Sequence, residues 1–260
     1  MMEPVSYRKK LEGKSNAHLI TFSDGKDYVV KFFQHGFEKS LPNEWVAYPL
    51  ARFLGLPTPF ARIVDIPQNF LTEVEELAQM SDVRYQFASR YIPNCRDGHE
   101  VDITNKKVVL TNDDWQLASI ILFDYWLANT DRTRKNILLK ETAADSYHVT
   151  VIDHAEIFGN YFWLIDDLEK LPVDVFKSAT HQFIAKFIKQ EQSFFDVLEV
   201  IQQIPVLLLE EIVELIPEEW KVTREERKAI VSTLIKRRKR ILPEMIEKFI
   251  GKVYRPLKKG

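Results

Sequence analysis

The sequence predicts an α+β fold in two lobes, a β-rich first third followed by a mainly helical remainder. Three observations carry that reading. Two β-rich runs near the start flank an Asp-Gly turn. After Pro93 the chain becomes polar and turn-rich, and from Asp113 onward helix-forming segments dominate. The 260 residues, 45% hydrophobic and 28% charged, suffice for two lobes with a cleft between them. The boundary falls near residue 93, giving an N-terminal lobe over 1–93 and a C-terminal helical lobe over 94–260.

The elements follow in order. His18 to Phe22 and Asp27 to Phe33 are strands around Ser23-Asp24-Gly25-Lys26, where glycine accepts the positive φ of a tight turn. Leu41 to Gly55 reads as a helix stopped by Gly55, with a kink or late start at Pro49. Phe60 to Ile66 returns to strand, Asn69 to Gln79 to helix, and Arg84 to Ile92 is a strand ending at Pro93. Asp113-Asp114 suits the positive end of the helix that runs from Trp115 to Ala128. That helix is apolar nearly all round, so it is buried. Asn136 to Lys140 and Tyr147 to Ile152 are short β-runs. From about Phe162 the chain reads as helices separated by Pro172, Pro205, Pro217 and Pro243.

Composition excludes several classes. A single cysteine, Cys95, rules out an intramolecular disulfide framework and a cysteine-only zinc cluster, and it reads as an inert thiol. The six histidines show no metal-ligand spacing. MMEPVSYRKK has no apolar core of a secretory signal, and Asp124 interrupts the longest apolar run, so a cytoplasmic protein without a membrane span is expected. Net charge is −2. Residues 236–260 hold ten basic and two acidic residues, which leaves −10 on residues 1–235. The body is therefore no general nucleic-acid binder. Lys236 to Arg240 reads as a solvated helix face rather than a nucleic-acid patch.

The chemistry concentrates in Leu127-Ala-Asn-Thr-Asp131-Arg-Thr-Arg-Lys-Asn136 and in Val151-Ile-Asp153-His. A buried helix ends, a polar loop presents Asp131, and Asn136 opens a hairpin whose second strand delivers Asp153. Phosphoryl transfer from a nucleotide needs such an arrangement. One carboxylate orients the attacking hydroxyl and accepts its proton; the amide oxygen and the second carboxylate hold Mg²⁺ against the phosphates. Taken singly, Asp131 reads equally as a cap residue and Asn136 as a turn amide. The order of helix, loop, hairpin and closing Asp distinguishes them.

The first lobe supplies further parts. Lys31 lies in the apolar strand Val29 to Phe33, where its charge needs a partner, and Glu44 stands at a helix start thirteen residues on. A Lys–Glu pair between strand and helix steadies the lysine that grips the α- and β-phosphates in kinases. Gly13 could let backbone N–H groups approach phosphate oxygens, with Lys14, Ser15 and Asn16 as added donors. An ordinary turn explains that segment about as well.

The order Lys31, Glu44, Asp131-Arg-Thr-x-x-Asn136-Ile-Leu-Leu and Ile-Asp153-His resembles the HipA-like kinases, atypical relatives of protein kinases. The resemblance implies a bilobal protein-kinase-like fold, ATP and Mg²⁺ as cofactors, and transfer of the γ-phosphate to a hydroxyl of a protein Ser/Thr or a small molecule. It implies that Asp131 is the catalytic base, Asn136 and Asp153 the metal ligands, Lys31 the phosphate lysine, and Ser89-Arg90-Tyr91 the adenine hinge. The chain departs from typical protein kinases after Asp153, where His154-Ala155 replaces Phe-Gly. Nucleotidyl transfer is a lesser variant. The alternative is a non-catalytic module that senses nucleotide, or that docks a partner or nucleic acid through its basic tail.

Overall fold

The computed structural model describes residues 2–13, 15–80, 83–170 and 177–259. Five antiparallel strands form the first sheet: β1 (Pro4–Lys10), β2 (Ala17–Phe22), β3 (Asp27–Lys31), β4 (Ala61–Asp65) and β5 (Tyr85–Arg90), in the order β1-β2-β3-β5-β4. The period of two sorts their side chains. Tyr28, Val30 and Phe32 pack with Ile20, Phe22 and Val64 on one face, beneath α2 (Gln68–Glu73). Lys31 leaves by the other face, beside Phe87, its cross-strand partner. β1 lies outside the strands expected from sequence. It is an edge strand, largely solvated, with two register shifts and two terminal lysines, so burial imprints no alternation on it.

Helix α1 (Ser40–Phe53) runs unbroken through Pro49, which sits in its last turns and forgoes one backbone donor there. It buries Leu41, Val46, Ala47, Leu50 and Ala51, and with them Asn43 and Glu44. The single helix expected over 69–79 divides at Val74, whose extended backbone separates α2 from a 3₁₀ turn at Glu75–Leu77.

The remainder is mainly helical. Short strands β6 (Arg96–Asp97) and β7 (Val109–Leu110) flank the hairpin of β8 (Ile137–Ala143) and β9 (Ser146–Val151), in the order β6-β8-β9-β7. Between β7 and β8 runs α3 (Asp114–Leu127), buried from Leu117 to its end. Asp113 caps it by accepting from Gln116 N–H at 2.7 Å. The later helices are α4 (Ile165–Leu168), α5 (Ala179–Ala185), α6 (Gln192–Gln203), α7 (Val206–Glu214), α8 (Arg224–Lys236), α9 (Leu242–Phe249) and α10 (Arg255–Lys259), of which α5, α6 and α9 pack on α3. One apolar core joins α1, α3, the hairpin and helices α6 to α9. The expected break at Pro172 lies outside the described residues. No helix among them is long and apolar enough to cross a membrane.

The basic run corrects the expectation of a solvated face in part: Lys236, Lys239 and Arg240 are exposed, but Arg237 and Arg238 are not. α8 passes through a π-turn at Arg237–Ile241 into α9. Arg237 and Arg238 are only 2% and 3% exposed. Arg237 donates to the carbonyls of Leu168 (2.7 Å) and Lys170 (3.2 Å), and its guanidinium lies 5.8 Å from the Phe158 ring centre. Burial alone pulls its pKa down to about 10, so it stays charged. Arg238 donates to Ile204 O, closing the end of α6. The sequence pattern misled because long cationic side chains can reach inward to helix-end carbonyls as readily as outward. Arg237→Ala is expected to cost about 3 kcal/mol, through a cavity and unpaired carbonyls. Lys239→Ala and Arg240→Ala, both exposed, should stay within about 0.5 kcal/mol. Urea denaturation of the three variants checks this.

Candidate functional site

Three charged side chains meet where the sheet faces the helical part. Lys31 Nζ lies 2.5 Å from Glu44 Oε1 and 2.8 Å from Asp153 Oδ1. The lysine and Glu44 are nearly closed to water, whereas the Asp153 side chain keeps 29% of its surface open to the cleft. Burial works to lower the lysine pKa, but Asp153 and then Glu44 outweigh it and raise the value. Burial would raise Asp153; Lys31 instead holds it at about 2. Glu44 is raised by burial, with Lys31 opposing. Lys31 and Asp153 are thus charged at neutral pH. His154, next in the chain, is held neutral by burial and by Arg132, its pKa lowered to about 3.

Asp153 itself sits at φ +58°, two residues past the end of β9. Its Oδ1 accepts from Ala155 N–H at 3.3 Å, the kind of local bond that lets Asp tolerate a left-handed backbone. α3 ends just as sharply, because Ala128 adopts φ +52° and turns the chain out of the helix. Asn129 and Asp131 follow, and Asn129 Oδ1 receives the Asp131 N–H at 3.1 Å.

Arg132 fixes the rest of this loop. It donates to Asp124 through Nε (2.9 Å) and Nη2 (3.2 Å), and through Nη1 to the carbonyls of Asn136 and Ile152, each at 2.7 Å. One guanidinium therefore ties the loop to α3, to Asn136 and to the residue before Asp153. Asp124, 1% exposed, also accepts from Asn129 Nδ2 at 2.8 Å and meets His181 Nε2 at 2.9 Å. Asn136 Nδ2 in turn donates to Asp131 O (2.7 Å) and Oδ2 (2.8 Å). Asp124, Arg132 and His181 were not singled out from sequence as site residues. A lone acid in a helix apolar all round was the available signal, since such a charge must be paired.

The cleft these groups line measures about 1450 Å³ and reaches from the β1–β2 loop past Asp131 to Lys177. Drug-sized ligands fill roughly 300–1,000 Å³, so there is room for a nucleotide and an acceptor together. Gly13 and Ser15 line it, and Gly13 at φ +133° has nothing within 4 Å of where a Cβ would sit. Asn16 departs from its expected place. At φ +45° it leaves the cleft lining, and its Nδ2 lies 3.2 Å from Met80 Sδ. Lys14 lies outside the described residues. Ser89, Arg90 and Tyr91 line the opposite end, but Arg90 N–H is spent on Phe60 O (2.7 Å) and Tyr91 N–H on Asp27 O (2.9 Å). Ile92, the next lining residue, follows the end of β5 and stands clear of that ladder.

The donors facing Asp131 suit a hard cation. Asn136 spends its Nδ2 on Asp131, which leaves Oδ1 for a metal, and Asp153 presents an ionised carboxylate beside it in the cleft lining. Mg²⁺ takes oxygen ligands and is bound by one or two carboxylates plus phosphates, so this set fits it. No cluster of three or more His, Cys, Asp or Glu side chains suited to a metal exists among the described residues.

A β-sheet part carrying a paired lysine, a helical part carrying an Asp-Asn-Asp set and a cleft between them define a kinase-like protein. The chain belongs to the HipA-like kinase family, whose model matches residues 5–249. Its fold is similar to that of the Helicobacter pylori proinflammatory kinase CtkA, with a TM-score of 0.60 at 13% identity over 96% of each chain. It is also similar to the Golgi casein kinase with Mn/ADP bound, with a TM-score of 0.51 at 15% identity, over 96% of this chain and 75% of that one. No curated protein matches it.

The Asp124–Arg132 pair has a pH signature. Burial would raise the Asp124 pKa, but Arg132 and His181 pull it well below the carboxylate range. Its share of stability is therefore full above the unfolded value of about 3.9 and is lost as pH falls below that, through the lowered folded value. Arg132→Ala is expected to cost about 3–5 kcal/mol at neutral pH by stranding a buried carboxylate. Asp124→Asn should also destabilise, and its gap from wild type should narrow as pH drops below about 4. Urea midpoints measured down the acid limb check both; a gap that stays constant throughout contradicts the assignment.

Proposed function

We propose that this protein is a Mg²⁺- and ATP-dependent kinase that transfers the γ-phosphate to a hydroxyl of a protein Ser/Thr or of a small molecule. One observation carries the reading: Lys31 bridges Glu44 and Asp153 at 2.5 and 2.8 Å, in a cleft also lined by Asp131 and Asn136. A nucleotide-sensing module without chemistry has little reason to hold base, amide and both carboxylates together. The Mn and ADP held by the Golgi casein kinase support a nucleotide and a divalent metal here.

Each residue then has a task. Lys31, steadied by Glu44, grips the α- and β-phosphates. Gly13 and Ser15 cover the phosphates from the β1–β2 loop, and the hinge that Ser89, Arg90 and Tyr91 lead into meets the base with backbone groups at Ile92, past the β5 ladder. Asp153 and Asn136 would hold the divalent metal, which would supply positive charge to offset that of the phosphates. Asp131 orients the acceptor hydroxyl and takes its proton, with its carboxylate aimed by Asn136 Nδ2. Arg134 and Lys135, both lining the cleft, flank the acceptor side.

Intact-mass spectrometry after incubation with Mg-ATP separates the readings. A gain of one phosphate supports the kinase, a gain of AMP means nucleotidyl transfer, and no ATP-dependent thermal shift removes both. Ligand at about 100 times its Kd should add about 2.7 kcal/mol of apparent stability. The two aspartates are expected to differ. Asp153→Ala should lose Mg-assisted nucleotide affinity and transfer together. Asp131→Ala should keep near-native Mg-ATP affinity while transfer drops roughly 10²-fold or more. Calorimetric titration beside a transfer assay decides, and wild-type transfer by Asp131→Ala would displace it as the base.

A further inference from the structure

The segment after Asp153 is tied to the start of α1 along its length. Phe37 stacks on Tyr161 with ring centres 4.3 Å apart. Lys39 N–H donates to Tyr161 O at 3.0 Å, and Lys39 Nζ lies 4.8 Å over the Trp163 ring. Asn43 is the centre of this seam and is wholly buried. Its Nδ2 donates to the carbonyls of Ala155 (2.7 Å), Ile157 (3.1 Å) and Asn160 (3.1 Å). Its Oδ1 accepts from Trp163 Nε1 at 2.9 Å. Two amide hydrogens are shared among three carbonyls, so both polar atoms of the side chain are spent.

What Asn43 grips is a strained turn. Phe158 sits at φ +61° between Ile157 and Asn160, two of the residues whose carbonyls Asn43 binds. A bulky residue there persists only where its surroundings over-determine it. The same turn reaches the Asp131 loop, through Gly159 N–H to Ala128 O at 3.1 Å and Thr130 Oγ1 to Gly159 O at 3.3 Å. Asn43 directly precedes Glu44, so any swing of α1 that removes Glu44 from Lys31 would also pull Asn43 from three carbonyls.

We propose that Asn43 is a positioning residue, which holds Glu44 against Lys31 and makes the start of α1 and residues 155–163 one mechanical unit. The inference rests on the kinase reading above. The Asn43 amide bonds order this segment, with the Lys39 ammonium over Trp163 beside them. Asp cannot replace Asn43, because a carboxylate would face three carbonyl oxygens with no proton to give them.

The test measures Asn43→Ala in the wild-type and Glu44→Gln backgrounds, well below each melting temperature. In the wild-type background kcat should fall about 10- to 100-fold, with KM for ATP moving less. In the Glu44→Gln background the same change should add less than about threefold, since the route through Glu44 is already gone. An equal loss in both backgrounds marks a merely structural residue and overturns the proposal. Trp163→Phe removes one bond of the set and keeps a six-membered aromatic ring; it should shift kcat the same way by about fivefold. Amide hydrogen exchange supplies an arm independent of turnover. Asn43→Ala should speed exchange in residues 155–163 and in the first turns of α1 together, and unchanged protection in α1 overturns the proposal. Wild-type protein that neither binds nor turns over Mg-ATP counts against the kinase reading, while the exchange arm still decides the clamp.

Discussion

Arg132 and Asp124 meet almost entirely out of water, and a charge buried that deeply has to be compensated where it stands. Asp124 receives two bonds from the guanidinium, one from Asn129 and a contact from His181. What the guanidinium has left goes to the carbonyls of Asn136 and Ile152. The pair thus measures out the distance from α3 to the loop, the start of β8 and the end of β9. Asp131 directly precedes Arg132, Asn136 is one of its two carbonyl anchors, and Asp153 directly follows the other, Ile152. Their spacing rests on the pair together with the Asn136–Asp131 and Lys31–Asp153 bonds.

The other half of the cleft is organised from α1. Glu44 meets a lysine delivered by the sheet, while its neighbour Asn43 holds the turn beyond Asp153. Lys39 adds a bond to Glu226 at 2.6 Å, reaching the first turn of α8, and Trp45 Nε1 donates to Ile212 O at 2.9 Å on α7. α1 is therefore anchored to the helical part by polar bonds at three points. Such anchoring trades the freedom of a loosely docked helix for a defined position of Glu44. The Lys31 pairing with two carboxylates needs that definition, because a partner withdrawn by an ångström would leave a buried charge uncompensated.

Local chemistry left clear marks. Lys31 stood out as a cation in an apolar strand, and the structure places it against two carboxylates. The helix over 114–127 was legible from its all-round apolarity and its acidic start. β1 was not, because an edge strand that buries little carries no period-two pattern. Asn16 was read as a phosphate donor from its neighbours in the chain, but its own positive φ turns it toward Met80. Arg237 and Arg238 were read as surface from charge alone, and charge does not say which way a long side chain reaches.

By itself the sequence determined the α+β class, the hairpin at Asp24-Gly25, the buried helix before Asp131, and the residue types the chemistry calls for. These depend on backbone propensity and on periodicity, which act over a few residues and are written locally. Only the tertiary structure decided that Asp124 is the partner of Arg132, that Asp153 reaches Lys31 across 122 residues, and that Asn43 closes the turn at Phe158. Each of those is a bond between groups distant in the chain. Which partner compensates a buried charge or a buried amide is settled by which elements pack together, and no local pattern records that choice.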